Sequence, residues 1–315
     1  MPNYSAEELK TINKQKRNNI LKKYLFIFSI IGFQMLIFVV FYIIVNFNSI
    51  LMAFQLKTKE TTIWTFDNFT RMYEEFFGSK DKTELILALT NTFKFFGLGL
   101  IMFPVGFITS YFMYKKILGH SVYRLVFFIP SILSSIVWST IYKEMVSVEG
   151  PIVKVLMWLT SSDEPMLLLA DPQYALKTVM GYSIWMGIAG NFILYGGAMS
   201  RIPVDVIEAG QLDGIGWLRE MVQIIIPLIF PTMGTLLLLQ LTGIFTASGN
   251  ILFLTGGAFD TTTISYFIFQ SVYKVPETSN KYNYASAVGL VFTMLTLPIV
   301  FVTRWLLNKI EDVQY

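Results

Sequence analysis

Arg201-Ile202-Pro203-Val204-Asp205-Val206-Ile207-Glu208-Ala209-Gly210-Gln211-Leu212-Asp213-Gly214-Ile215-Gly216-Trp217 interrupts a chain of long apolar blocks. It continues through Arg219-Glu220 to Ile224-Ile225-Ile226-Pro227 and Pro231. The stretch is polar enough to leave a bilayer, yet regularly patterned. Pro203 suits a first helical turn, and Val204, Ile207 and Leu212 fall near one face of a short helix. Gly214 and Gly216 then permit a sharp reversal before a second helix. Helix–helix links commonly take about 2–8 residues, so the extra length points to a compact helix–turn–helix ledge, stiffly attached to a span on each side and able to transmit force. On pattern alone, an interfacial amphipathic helix with no partner fits the same residues.

Outward from this stretch, composition sets the class. The 315 residues are 54% hydrophobic and 14% charged, against about 45–50% and about 25% in soluble domains. The apolar residues fall in blocks long enough to cross about 30 Å of hydrocarbon, so the fold class is an all-α integral membrane bundle. The short alternating segments of a barrel are missing. Six spans are expected, at about 24–46, 85–114, 122–141, 174–200, 228–254 and 284–306, with the polar loop at about 201–227. Residues 1–23 form a basic segment (Lys10, Lys14, Lys16, Arg17, Lys22, Lys23), and 24–315 form one membrane domain. The first apolar run is too long for a signal-peptide core and is expected to be a retained span. Lys115, Lys116, Arg124, Arg201, Arg219, Arg304 and Lys309 fall in the same set of short loops and ends, which places both termini and the polar loop in the cytoplasm. The outward segments at about 47–84 and 142–173 are long enough to carry short helices, with Thr65-Phe66-Asp67-Asn68-Phe69 as a capped start.

The spans hold polar residues that a simple anchor does not need, among them Asn91, Thr92, Ser110, Ser139, Ser183, Asn191, Gln240 and Asn250. In hydrocarbon each requires a partner, so interhelical hydrogen bonding and a wet path are both open readings.

The loop resembles the EAA loop of ATP-binding-cassette importer permeases, in which Glu-Ala-Ala is followed by Asp-Gly and later by Ile-x-Leu-Pro. Here Glu208-Ala209 carries Gly210 in place of the second Ala, Asp213-Gly214 follows, and Ile224-x-Ile226-Pro227 has Ile for Leu. Asn91-Thr92, Phe127-Phe128-Ile129-Pro130 and Tyr284-Ala285-Ser286-Ala287 are similar to the binding-protein-dependent sugar permeases, especially the polysaccharide-type branch, over roughly residues 60–310. The resemblance implies that Glu208, Ala209 and Gly210 lie on a coupling helix that docks in a cytoplasmic ATPase and that Asp213 and Gly214 make its turn. It also implies the partners. These are a second permease subunit, favoured as a different homologous chain, two ATPase subunits that bind ATP and Mg, and an extracellular or lipid-anchored solute-binding protein. The setting is a bacterial plasma membrane.

The chain lacks G-x-x-x-x-G-K-[ST], H-E-x-x-H and G-x-S-x-G, has one histidine, His120, and has no cysteine. It is therefore expected to be a non-catalytic transport subunit with no cofactor, metal or nucleic acid of its own. An ion-coupled transporter would place Asp, Glu or His deep in its spans, and the one deep charge, Lys94, lies near enough to a span end to snorkel. Tyr182, Trp185, Asn191, Gln240 and Asn250 supply aromatic faces and amides suited to a sugar. A peptide or another neutral polar solute is the alternative cargo.

Overall fold

The computed structural model describes residues 6–57, 61–78, 83–246, 250–273 and 280–310, with the side chains of 6–13, 131, 189 and 191 excluded. Leu, Ile, Phe and Val dominate the long blocks, and a backbone in hydrocarbon must satisfy its own hydrogen bonds, so these blocks form helices. In chain order they are α1 (Ala6–Ile37), α2 (Val45–Ala53), α3 (Asp67–Tyr73), α4 (Glu84–Tyr114), α5 (His120–Ile132), α6 (Ser135–Met145) and α7 (Pro151–Thr160). The chain continues with α8 (Pro172–Met199), α9 (Val204–Leu212), α10 (Trp217–Glu220), α11 (Ile226–Thr242), α12 (Ile251–Leu254), α13 (Ile264–Tyr273) and α14 (Lys281–Leu307).

Among the described residues four helical stretches are long and apolar enough to cross a membrane: Lys14–Ala53, Glu84–Tyr114, Trp217–Thr242 and Lys281–Leu307. The bent pair α5 and α6 makes a fifth if it is taken as one span. At 28 residues, α8 is about 42 Å long at 1.5 Å per residue. α4 packs along α8, while α14 packs against α2, α11 and α13.

The basic segment and the first apolar block share one helix, which continues through a π turn at Phe38–Ile44. Two expectations need correction. The third block, expected as one helix over 122–141, is two helices inclined at 104°. Pro130 supplies no backbone donor, and Ser134 leaves the helical region at φ −66°, ψ 150°, where its hydroxyl caps α6 by accepting from the Val137 N–H at 3.4 Å. The fifth block starts eleven residues before the expected 228, at Trp217, and its helix ends at Thr242 rather than 254. A π turn at Met221–Ile225, with Ile226 N–H bonded to the Met221 carbonyl, widens the helix just before Pro227 and accommodates its ring.

The segment between α2 and α3 adds a small antiparallel hairpin, β1 (Gln55–Lys57) and β2 (Thr62–Trp64), with Leu56 opposite Ile63. Asn68 Nδ2 ties it down by donating to the Ala53 and Gln55 carbonyls at 2.9 and 3.0 Å, and Asn283 Nδ2 donates to the same Gln55 carbonyl at 2.6 Å. α3 begins after Phe66, which caps it with no side-chain hydrogen bond, while the Thr65 hydroxyl accepts from Asp67 N–H at 3.1 Å. α7 lies in the second such segment, so both are folded caps.

Most span hydroxyls bond back to their own helix. Thr92, Ser110, Ser139 and Ser183 each donate to the carbonyl four residues earlier. Asn91, fully buried, instead pins a distant loop by donating to the Asp260 and Thr262 carbonyls at 2.7 and 3.0 Å. The Thr92 hydroxyl accepts from Ile264 N–H at 3.0 Å. Packing rather than transport thus accounts for this pair.

Candidate functional site

The polar stretch folds as a two-helix ledge. Pro203, at φ −58° and ψ 135°, precedes α9 as its N-cap residue rather than sitting inside the first turn. At the other end Ile215 N–H bonds the Gly210 carbonyl and Gly214 N–H bonds the Gln211 carbonyl, both at 3.1 Å. This six-to-one and five-to-two pairing is the Schellman arrangement, and it requires a left-handed residue at position 214. Gly214 has φ +71°. Gly216 has φ −71°, open to any residue, so only one of the two expected glycines is needed for the turn.

Burial sorts the faces of α9. Ile207 and Gly210 point inward, and Ile207 joins a core with Phe107, Tyr111, Met199, Met221 and Ile225. A Cβ added at Gly210 would lie 2.8 Å from Ile224 Cδ1, so the glycine lets the second helix of the ledge close onto the first. Val204 and Leu212 do not join Ile207, being 63% and 89% exposed. Glu208, Ala209, Asp213 and Gly214 are exposed as well. The outer surface of the ledge therefore carries the carboxylates of Asp205, Glu208 and Asp213, small residues and a protruding leucine.

A part-buried ion pair that the residue pattern did not reveal fastens the ledge to α4. Glu220, 4% exposed, accepts from Lys115 Nζ at 2.9 Å. The Tyr111 hydroxyl lies 3.4 Å from Glu220 Oε1 and 3.1 Å from the Trp217 carbonyl. Two signals were available in the sequence. Glu220 is an acid at the edge of an apolar run, and Lys115 ends the second apolar block; the 105 residues between them hid the pairing.

One of the proposed path residues, Gln240, reaches a cavity. Gln240 lines a space of about 410 Å³ between α4, α8 and α11, together with Ser183, Gly99 and Gly187. Its amide nitrogen lies against Gly99, where a Cβ would collide with it. Tyr182 is fully buried in an aromatic core with Trp138, Tyr142 and the partly buried Trp185, whose ring is edge-on to Trp138 at 4.8 Å. Asn250 sits at φ +58°, and its carbonyl accepts from Phe253 and Leu254, a backbone position asparagine tolerates better than most residues. Asn191 is within α8, but its side chain lies outside the described residues, as does Ser248. Among the described side chains, Tyr182 and Trp185 share the aromatic core and Gln240 lines the cavity.

The family described as "Binding-protein-dependent transport system inner membrane component" matches residues 102–312, two thirds of the chain and the whole ledge. The chain belongs to that family. This membrane component is 28% identical over 205 residues to the "Multiple sugar-binding transport system permease protein MsmF" of Streptococcus mutans, covering 65% of this chain and 69% of that one. It is 26% identical over 226 residues to the "Lactose transport system permease protein LacF" of Rhizobium radiobacter, covering 68% and 73%. Its fold is similar to a chain of a bacterial ABC transporter involved in import of the acidic polysaccharide alginate. The TM-score is 0.78 at 19% identity, over 94% of this chain and 99% of that one.

Proposed function

We propose that this chain is a membrane-spanning permease subunit of an ATP-binding-cassette importer for a sugar or oligosaccharide. In this reading there are six spans, with the bent α5–α6 pair and α8 as the third and fourth. The observation that carries it is the ledge. Its inner face is anchored by Ile207, Gly210 and the buried Glu220, while Glu208, Ala209, Asp213 and Gly214 are presented outward on a rigid turn. A mere linker gains nothing from being so fastened, whereas a surface that must take a push from an ATPase does. The sugar and lactose systems of the relatives support the substrate class.

The remaining parts follow from that role. A second permease completes the path, two ATPase subunits bind ATP and Mg beneath the ledges, and a solute-binding protein delivers cargo from outside. This chain contributes no catalytic group. ATP-driven closure of the ATPases pushes the ledges together and opens the path outward, and hydrolysis resets it. ATPase stimulation by the loaded binding protein in a reconstituted complex tests the assignment; hydrolysis indifferent to that protein and to the sugar would reject it.

Orientation has its own measurement, because the chain is free of cysteine. Both termini and the ledge are cytoplasmic in this reading. Lys57→Cys and Ala258→Cys, at exposed positions, should then react with an impermeant thiol reagent in intact cells, while Ser5→Cys and Gln211→Cys should react only after permeabilisation. Labelling of Ser5→Cys in intact cells would overturn the topology.

For the path, Gln240 and Asn191 are the residues to change. Replacing either with Leu should leave assembly and basal ATP hydrolysis near normal while uptake falls or sugar preference shifts. A packing amide would behave differently, lowering stability by about 0.6–2 kcal/mol. Wild-type uptake and selectivity in both variants would move the path to other residues.

A further inference from the structure

One groove on the molecule is unused by this function and is built like an amphiphile. It runs between α5 and α8 and consists of two adjoining cavities of about 300 and 530 Å³ that share Arg124, Phe192, Gly196 and Ser200. At the end next to the ledge it is lined by Lys116, His120 and Arg124. Further along it becomes apolar, with Leu125, Phe128 and Ile193. Ser121, Arg124, Leu125 and Phe128 are spaced for one face of α5, so charge gives way to hydrocarbon along a single helix stripe. On the α8 wall Gly196 and Gly197 leave a channel, since a Cβ at either would meet nothing within 4 Å. No carboxylate lines either cavity, and among the described residues neither Lys116 nor Arg124 is in an ion pair.

We propose that this groove binds an anionic phospholipid, with its phosphate at Lys116, His120 and Arg124 and one acyl chain along the glycine-lined channel. The position fits, because Lys116 lies in the turn between α4 and α5, where an apolar helix ends and headgroups begin. Charge complementarity favours a lipid phosphate at a basic pocket between membrane helices. The apolar half fits an acyl chain and is of no use to a sugar in transit.

The test uses the importer assembly purified in detergent, stripped of lipid and titrated with phosphatidylglycerol or phosphatidylcholine, with bound lipid counted by native mass spectrometry. The wild type is expected to hold phosphatidylglycerol in preference to phosphatidylcholine. Arg124→Gln should weaken that binding about tenfold, the loss of one charge-assisted contact. Gly197→Leu, which fills the channel without altering charge, should weaken it similarly, and Arg124→Lys should bind and so show that the fold survives substitution there. Equal retention of the two lipids overturns the proposal, as does wild-type binding by both Arg124→Gln and Gly197→Leu. Binding to the isolated chain but not to the assembly also overturns it, since a protein subunit would then cover the groove.

Discussion

A complex carrying Gly214→Pro is expected to insert and pair normally but to lose substrate-stimulated ATP hydrolysis and uptake. Proline fixes φ near −65°, whereas residue 214 sits at +71°, and it deletes the N–H that bonds the Gln211 carbonyl at 3.1 Å. Both bonds of the turn fail together, and α10 no longer leaves α9 at the same angle. A local cost of about 3 kcal/mol lowers the share of ledges in the docking geometry about a hundredfold, and apparent coupling falls with it. Gly214→Ala, which pays only the left-handed penalty of about 1–2 kcal/mol, should fall between the two. Glu208→Ala leaves the turn intact and removes one exposed carboxylate, so its effect should appear in ATPase affinity rather than in folding. Full stimulated hydrolysis and uptake by purified Gly214→Pro would show that the ledge does not couple.

The second large effect is expected at Lys115. Lys115→Met strands the Glu220 carboxylate, 5% exposed at its side chain, without its counter-charge, and should destabilise the chain by about 3 kcal/mol, the lower end for breaking a buried pair. Lys115→Met with Glu220→Gln removes the charge from both sides and should recover much of that loss, because an unpaired ion costs more than a neutral amide. If the pair also sets the angle of the ledge, the double variant will be stable yet poorly coupled. Thermal unfolding compared with stimulated hydrolysis separates the two roles. Equal stability of wild type and Lys115→Met would mean that the carboxylate is solvated in the membrane and the pair is incidental.

The ledge could be read from the sequence because its instructions are local. A left-handed turn admits few residues, so Asp213-Gly214 marks its place, and the lengths of α4, α8 and α14 follow from apolar runs within a few residues. The break after Pro130 depends on a serine capping the next helix, and apolar content on both sides masks it. The fifth block begins earlier than the apolar run after Pro227 implies, because the π turn before that proline, which lets the helix pass, is a backbone adjustment with no sequence signature. By period Val204 and Leu212 fall near the face of Ile207, but the neighbouring core is filled by Ile207 and the close approach of Ile224 to Gly210. Only chemical type marks the five path residues in the sequence. Aromatic rings serve packing equally well, and Tyr182 does so here.

The unbroken run from Trp217 to Thr242 makes the ledge and the cavity two points on one lever. Its short arm is held at Glu220, and Gln240 lies about 30 Å further along the axis at 1.5 Å per residue. A tilt of about 10° at the held end would carry Gln240 sideways by about 5 Å, comparable to the width of a sugar ring. The position of Gln240 is therefore sensitive to how the Lys115–Glu220 pair holds the opposite end of the same helix.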